Sequence, residues 1–211
     1  MPVSPADRTV SSKSTSNCRV TLYNPYGTGP LYCESLFEAY AAIIIMARND
    51  VADMSCQYQV RFGDGDNGVH NFDILVRYKN GLVKLFAVRP SIYVDEKLLA
   101  AIEDIRNYVL NQHADECEIL TENVITQANV YRAGEILRAR SLLNAENCRR
   151  MTRTMAGMPG IYQVYELLES FGNLASGWTA MWNLIDQGML QHDCEDPDNM
   201  RLTHASWLKC A

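Results

Sequence analysis

The stretch from residue 70 to residue 90, HNFDILVRYKNGLVKLFAVRP, limits the possible folds more than any other part of the chain. Apolar residues alternate from Phe72 to Tyr78, and residues 82–88 are nearly all apolar before Pro90. Asn80-Gly81 lies between the two runs, and this dipeptide is a strong signal for a tight turn. The stretch therefore predicts a two-stranded hairpin.

Charged residues interrupt this apolar hairpin. Asp73 lies inside the first strand and Arg89 follows the second, so a carboxylate and a cation could meet at one mouth of a small sheet. Such a pair is either a functional site or a structural salt bridge, and Arg77 is a second possible partner for Asp73. His70, three residues before Asp73, could contact a substrate or could be an ordinary hydrogen-bonded loop residue.

The segments around the hairpin predict an α/β unit. Apolar residues at helical spacing predict one helix within residues 31–49 and a second over residues 94–111. Residues 51–62 and 117–120 read as strands. The order helix, strand, hairpin, helix, strand predicts a mixed sheet covered by helices.

A basic segment follows this unit. Residues 129–153 predict one arginine-rich helix, which contains Arg132, Arg138 and Arg140. The segment is either a solvated helix that joins two domains or a surface whose arginines contact DNA phosphates.

The last part of the chain has the pattern of a winged helix. Two helices are predicted within residues 161–187, followed by a hairpin made from residues 189–192 and 200–203. The presumed recognition helix contains Trp178 and Trp182 but no Lys or Arg, and the loop of the hairpin is acidic. Such a surface repels duplex DNA, so the two tryptophans are predicted to contact core residues or a protein partner.

Composition narrows the class of protein. The formal net charge of −6 argues against nucleic-acid binding through bulk charge. Seven scattered cysteines without a CxxC motif favour reduced thiols over disulfides or structural zinc, and therefore a cytoplasmic location. The longest apolar run, residues 39–47, is too short to cross a bilayer, which predicts a soluble protein without membrane contact. The predicted domains are a flexible arm (1–17), an α/β domain (18–128), a basic linker helix (129–153) and a winged-helix-like domain (154–211).

Three residues have the order that metal-dependent phosphodiester cleavage needs. That chemistry uses carboxylates or carbonyls to hold Mg²⁺ and a cation to stabilise developing charge. Glu38 lies on the first predicted helix, Asp73 in the first strand of the hairpin, and Arg89 at the end of the second strand.

Four short stretches resemble the TnsA endonuclease subunit of heteromeric transposases. They are YCESLFE (32–38), DILV (73–76) with its Asn-Gly turn, VRP (88–90) and NVYRAGEILR (129–138). Each is short, and their order and spacing carry the resemblance, which extends over roughly residues 30–211. It implies a restriction-endonuclease-like mixed-sheet core of the PD-(D/E)xK superfamily, followed by an α-rich winged-helix-like C-terminal domain.

The resemblance also implies an activity and partners. A TnsA-like subunit nicks the DNA of transposon ends with bound Mg²⁺, for which Mn²⁺ can substitute, beside a DDE transposase. Its C-terminal domain engages an AAA+ ATPase regulator, which suits the acidic unit here. By motif position, Glu38 and Asp73 match the metal-binding acids.

The second strand departs from the family pattern of Glu or Gln, any residue, then Lys. This chain has Ala87-Val88-Arg89 there, and Ala87 offers no side-chain ligand. The Val88 carbonyl, or a carboxylate of Glu103 or Asp104, would have to replace it. A lost ligand is expected to weaken metal affinity on the order of tenfold or more. Arg89 keeps the positive charge but cannot release a proton near neutral pH as a lysine can.

Three functions remain open at the level of sequence. The first is the endonuclease, with Glu38 and Asp73 binding metal and Arg89 stabilising charge. The second is a catalytically degenerate TnsA-like module that bridges DNA, transposase and ATPase without cutting. The third, a phage or regulatory winged-helix protein, is disfavoured by the acidic recognition helix.

Overall fold

The structure is a computed structural model that describes residues 18–27, 29–63, 68–158, 160–169 and 171–211. The chain divides into two compact units between Ile125 and Thr126. The arm predicted for residues 1–17 lies outside the described residues. Across the described ranges, no helix combines the length and the apolar character needed to cross a membrane.

The first unit is a mixed α/β fold. In chain order its elements are β1 (Val20–Leu22), β2 (Leu31–Cys33), α1 (Leu36–Met46), β3 (Val51–Phe62), β4 (Gly68–Tyr78), β5 (Val83–Val88), α2 (Glu96–Tyr108) and β6 (Glu116–Leu120). Short 3₁₀ turns at Ser91–Tyr93 and Leu110–Gln112 lie on either side of α2.

Its sheet has four strands in the order β3-β4-β5-β6. β4 runs antiparallel to both β3 and β5, whereas β6 runs parallel to β5. The predicted hairpin is confirmed as β4 and β5, and a hydrogen bond from Tyr78 N to Leu82 O (2.8 Å) closes its turn. Gly81 in this turn has a φ of +92°, which glycine adopts without a steric penalty. The predicted α/β class with a mixed sheet is therefore confirmed.

Neighbouring side chains on β5 face different helices, as strand geometry requires. Ala87 belongs to a hydrophobic cluster that includes Ile102 and Ile105 of α2. Phe86 instead lines a cavity of about 340 Å³ together with Ile45 of α1. The sheet therefore has α1 on one side and α2 on the other.

The first helix is shorter than the sequence predicts. Residues 31–33 form β2, which pairs with β1, and α1 begins only after Ser35. The Ser35 hydroxyl accepts a hydrogen bond from Glu38 N (3.1 Å), the Ser-x-x-Glu arrangement of a capping box. Capping chemistry and strand pairing, rather than apolar spacing, decide where this helix begins.

The second unit combines helices with a small sheet. Its elements are α3 (Gln127–Ser141), α4 (Ala145–Ala156), β7 (Ile161–Gln163), α5 (Val164–Glu169), α6 (Leu174–Asp186), β8 (Leu190–His192) and β9 (Trp207–Cys210). The three strands are antiparallel, in the order β7-β9-β8.

The single helix predicted over residues 129–153 is instead two helices. Asn144 separates them, because its side-chain oxygen accepts hydrogen bonds from Glu146 N and Asn147 N, both at 3.0 Å, and so starts α4. Ala139 of α3 and Met151 of α4 are both buried in the core of the second unit. These helices therefore belong to the second unit and do not form a linker.

Two further predictions for this unit are wrong. Residues 161–163 are a strand rather than the start of a helix, because Tyr162 pairs with Leu208 of β9. The partner of β8 is β9, not residues 200–203. Side-chain hydrogen bonds between Thr203 and Ser206 hold that region in a turn, in competition with strand pairing.

One ion pair joins α3 to α6. Both Nε and Nη2 of Arg140 donate to the Asp186 carboxylate at 2.7 Å, a bidentate arrangement. The side chains are 28% and 12% exposed, so the pair is shielded from water. Arg140, which the sequence offers as a DNA contact, thus fixes two helices of the second unit together.

We expect Arg140→Ala to lower the free energy of unfolding by about 2 kcal/mol, because it leaves the shielded Asp186 carboxylate without its cation. Arg149→Ala is the matched control, since Arg149 pairs with Glu146 and both side chains are 62% exposed. That variant should change stability by less than about 0.5 kcal/mol. Urea denaturation measures both values, and equal losses would contradict the structural role of Arg140.

Candidate active site

Asp73 lies in the middle of β4 with its side chain only 8% exposed. Its Oδ2 accepts a hydrogen bond from Val88 N of the neighbouring strand at 2.7 Å. The Nη1 of Arg89 is 3.8 Å from the same oxygen. The structure thus brings together three residues that the sequence predicts at one site.

Glu38 occupies the first turn of α1 and is 5% exposed. Its Oε2 accepts a hydrogen bond from Glu34 N at 2.7 Å, and its Oε1 accepts one from the Ser35 hydroxyl at 3.0 Å. The capping box that starts the helix therefore also fixes the orientation of this carboxylate. The Ser-x-x-Glu spacing was the sequence signal for this role.

Gln57 is a site residue that sequence reasoning missed. The pairs Cys56–Ile74 and Tyr58–Phe72 place it across from Asp73 in the register of β3 and β4. Its φ is +61°, an uncommon conformation for any residue other than glycine. It is buried, and its Nε2 lies 3.5 Å from Glu38 Oε2. Such backbone strain is typical of functional sites, and nothing in the sequence around Gln57 signals it.

Nearby cations and hydrogen-bond donors compensate the negative charges of Asp73 and Glu38 only in part. Burial and, after it, the negative charge of Glu38 raise the pKa of Asp73 from 3.8 to about 7, against the opposing effects of Arg89 and Val88 N. Burial also raises the pKa of Glu38, although its hydrogen bonds with Glu34 N and Ser35 oppose this. Two buried acids with raised pKa values mark a candidate functional site.

Arg89 supplies positive charge to this site from its edge. Its side chain is 42% exposed, and its Nη1 donates a hydrogen bond to the Val88 carbonyl at 3.0 Å. The guanidinium therefore lies near Asp73 Oδ2 and Val88 O, two of the oxygens that the sequence assigns to a metal. It is the neighbouring cation of the acid pair.

His70 lies three residues before Asp73 on β4. Its ring packs edge-on against Phe72, and its buried Nε2 has no hydrogen-bond partner among the described residues. Burial and the positive charge of Arg89 both lower the pKa of His70. A neutral imidazole near Arg89 is therefore available for a hydrogen bond to a ligand.

The structure shows where Ala87 and the two acids that could replace its missing ligand lie. Ala87 faces α2, so a carboxylate at this position would enter the apolar cluster around Ile102 rather than approach the helix that carries Glu38. Glu103 and Asp104 are exposed on α2. Neither is hydrogen-bonded or ion-paired to Glu38 or Asp73 in the contacts the described chain makes.

The donor set suits a hard cation. In the part of the chain that the structure describes, no group of three or more His, Cys, Asp or Glu side chains is placed to hold a metal ion. Glu38, Asp73 and the Val88 carbonyl offer oxygen ligands, which Mg²⁺ and Mn²⁺ prefer. Mg²⁺ often takes one or two carboxylates and completes its shell with water and substrate phosphates. The residues therefore fit Mg²⁺, provided that Arg89 leaves the Val88 carbonyl.

The residues predicted for DNA and partner contact lie in the second unit. Arg138 pairs with Glu135 at 2.6 Å, and Arg132 Nη1 lies 3.5 Å from Asp198. These acidic partners weigh against phosphate contact, which stays a prediction.

Trp178 and Trp182 do not form one exposed surface. Trp182 is 1% exposed and packs in the core, so its ring does not lie on a partner surface. Trp178 is partly buried, donates to Glu135 at 2.6 Å and stacks on His204. Contact with a partner is therefore open to Trp178 at most through its exposed part.

Comparisons with known proteins do not assign this chain to a family. The sequence matches no protein-family model, and no curated protein matches it either. The interpretation of the site therefore depends on its contacts and on the short motifs described above.

The raised pKa of Asp73 predicts a pH-dependent stability. In the unfolded chain the carboxyl group titrates near its ordinary value of 3.8, and in the folded protein near 7. The unfolded state therefore loses its proton first as the pH rises, and the folded state loses stability between about pH 4 and pH 7. Each pKa unit corresponds to about 1.4 kcal/mol, so the loss is on the order of 4 kcal/mol above pH 7.

We expect Asp73→Asn to match the native chain in stability at pH 4 and to exceed it at pH 8, because an amide carries no buried charge. Thermal unfolding across this pH range measures the difference. Asp50→Asn is the control of opposite sign, since hydrogen bonds from Arg48 lower the pKa of Asp50 and its loss should destabilise the protein at neutral pH. A difference for Asp73→Asn that stays constant with pH would contradict the buried-charge interpretation.

Proposed function

We propose that this chain is a metal-dependent DNA endonuclease subunit of a transposition complex, of the TnsA-like type. One observation carries the proposal: burial raises the pKa of two neighbouring acids, Glu38 and Asp73, the charge of Glu38 adds to the rise at Asp73, and the arginine next to them is partly exposed. An acid pair short of positive charge is a suitable site for a divalent cation and a phosphodiester.

The fold supports this assignment. A helix carries Glu38, the first strand of the central hairpin carries Asp73, and Arg89 follows the second strand. This is the order that the resemblance to a restriction-endonuclease-like core implies. From α4 onward, the second unit has the order helix, strand, two helices and two strands, with β9 between β7 and β8, and this order supports a winged-helix-like domain.

Each residue of the site has a role in this proposal. Glu38, Asp73 and the Val88 carbonyl hold Mg²⁺ or Mn²⁺, which supplies Lewis-acid stabilisation of the phosphoryl oxygens and an activated water. The capping hydrogen bonds from Glu34 N and Ser35 hold Glu38 in place before substrate arrives.

Arg89 has two possible partners in this site. Its planar guanidinium can bind two oxygens of a phosphate at once. Its partly exposed side chain can exchange the Val88 carbonyl for such a phosphate, which frees that carbonyl for the metal. The phosphate of the DNA would then complete the shell that Ala87 cannot complete.

A second candidate is the catalytically degenerate module that bridges DNA, a DDE transposase and an AAA+ ATPase. The contact of Arg89 with the Val88 carbonyl favours it, because a guanidinium that stays there excludes a metal. In both candidates the second unit is the part that engages the ATPase. Its loop after β8 is acidic, with exposed Glu195, Asp196 and Asp198, which suits a basic protein surface.

Metal binding and DNA nicking together test the proposal. We expect Mn²⁺ to bind the native chain, measured by calorimetry, and Glu38→Gln and Asp73→Asn each to weaken that binding by about tenfold or more. With a labelled transposon end and the partner transposase, both variants should reduce nicking on the order of 100-fold or more. Asp50→Asn, which removes an exposed carboxylate of the same unit, should leave both measurements unchanged.

The outcomes separate the two candidates. If neither Mn²⁺ binding nor nicking occurs while Asp73→Asn still assembles with DNA and transposase, the endonuclease proposal fails and the bridging module stands. If nicking occurs and depends on Asp73, the bridging module fails. Nicking that survives in both Glu38→Gln and Asp73→Asn would show that the site lies elsewhere.

A further inference from the structure

A cavity of about 350 Å³ lies within the second unit, apart from the acid pair. Much of its wall is apolar and includes Leu190, Met200 and Leu202. Arg132 of α3, Trp182 of α6 and His192 of β8 also line it. Its size and its mostly apolar wall with a few polar groups are typical of small-molecule sites.

Two hydrogen-bond donors of this wall are unsatisfied. Arg132 Nη2 and Trp182 Nε1 are both buried, and neither has a hydrogen-bond partner among the described residues. Trp182 is 1% exposed, so its indole N–H is enclosed within the unit. A buried donor without a partner costs roughly 1–3 kcal/mol, and such groups are rare in native proteins. The neighbouring Trp178 shows the usual situation, since its Nε1 donates to Glu135 at 2.6 Å.

Arg132 is only partly neutralised. Its Nη1 lies 3.5 Å from Asp198, whose side chain is 64% exposed, so this pair is weak and open to water. Burial and, after it, the positive charge of Arg132 lower the pKa of His192 in the same wall, so this charge acts on the cavity. The wall also includes Ala128 in the first turn of α3, the positive end of that helix dipole. The polar part of the cavity therefore favours an anion with at least two acceptor oxygens.

We propose that this cavity binds a small organic carboxylate. Both donors are buried, so binding turns them toward the cavity: one carboxylate oxygen then accepts from Arg132 Nη2 and the other from Trp182 Nε1. The apolar body of the ligand fills the space beside Leu190 and Met200. A carboxylate is preferred over a neutral amide, because hydrogen bonds that join two charged groups are about twice as strong as neutral ones. This site is independent of the proposed endonuclease function.

The indole N–H signals of the tryptophans report directly on this contact. The chain has three tryptophans, and Trp182→Phe identifies the Trp182 signal in a ¹H–¹⁵N NMR spectrum. Phenylacetate is the probe, and phenylacetamide is the matched neutral compound. We expect phenylacetate to shift the Trp182 indole signal in a saturable way, whereas the Trp178 signal, already hydrogen-bonded to Glu135, moves little. Phenylacetamide should bind at least about tenfold more weakly.

Arg132→Gln tests the cation in the folded protein. The side chain of Arg132 is 31% exposed, and thermal unfolding establishes that the variant folds before it is titrated. We expect its affinity for phenylacetate to fall at least tenfold, to the level of phenylacetamide. Arg153→Gln, a 72% exposed arginine on α4, is the control and should bind phenylacetate as the native chain does.

Three results would overturn the proposal. They are no saturable shift of the Trp182 signal with phenylacetate, equal binding of the acid and the amide, and unchanged affinity in Arg132→Gln. The first would mean that solvent satisfies the two donors, and the others that the cavity does not select for a carboxylate.

Discussion

The first unit depends on one hydrogen bond that joins two strands and holds an acidic side chain in place. Asp73 accepts from Val88 N at 2.7 Å, and this bond holds the carboxyl group of β4 against the end of β5, where Arg89 emerges. This arrangement buries an acid whose pKa is near 7 and places it near a second acid, Glu38 of α1. A core residue of similar shape without charge would stabilise the sheet more. Buried acids with raised pKa values cluster at functional sites, and this marks Asp73 as a candidate site residue.

Neighbouring features hold this unfavourable pair in place. The capping box at Ser35 fixes Glu38, and Gln57 adopts a positive φ where β3 passes Asp73. Arg89 lies at the edge, exposed enough to move and close enough to compensate part of the charge. The fixed acids Glu38 and Asp73 beside the movable cation Arg89 would suit a site that accepts a metal and a phosphate. They would equally suit a site in which the arginine has replaced the metal.

The second unit uses its arginines in different ways. Arg140 donates two hydrogen bonds to Asp186 and so joins α3 to α6, whereas Arg132 keeps one nitrogen unsatisfied at an apolar cavity. Both residues look alike in the sequence as members of a basic helix face. Arg132 and Arg140 differ in the helix or strand that lies opposite each of them. A basic pattern alone therefore does not identify a phosphate-binding surface.

The sequence by itself determined the local features. The Asn80-Gly81 turn, the alternation from Phe72 to Tyr78 and the apolar spacing of α2 and α6 specify their elements, because turn chemistry and periodicity act within a few residues. The proximity of Glu38, Asp73 and Arg89 was also predicted, from their order along the chain. The tertiary structure alone decided that Ala87 faces α2, that Gln57 joins the site, that β9 rather than residues 200–203 pairs with β8, and that Arg132 meets Trp182 at one cavity. Each of these depends on a partner distant in sequence, whose position only the packed chain defines.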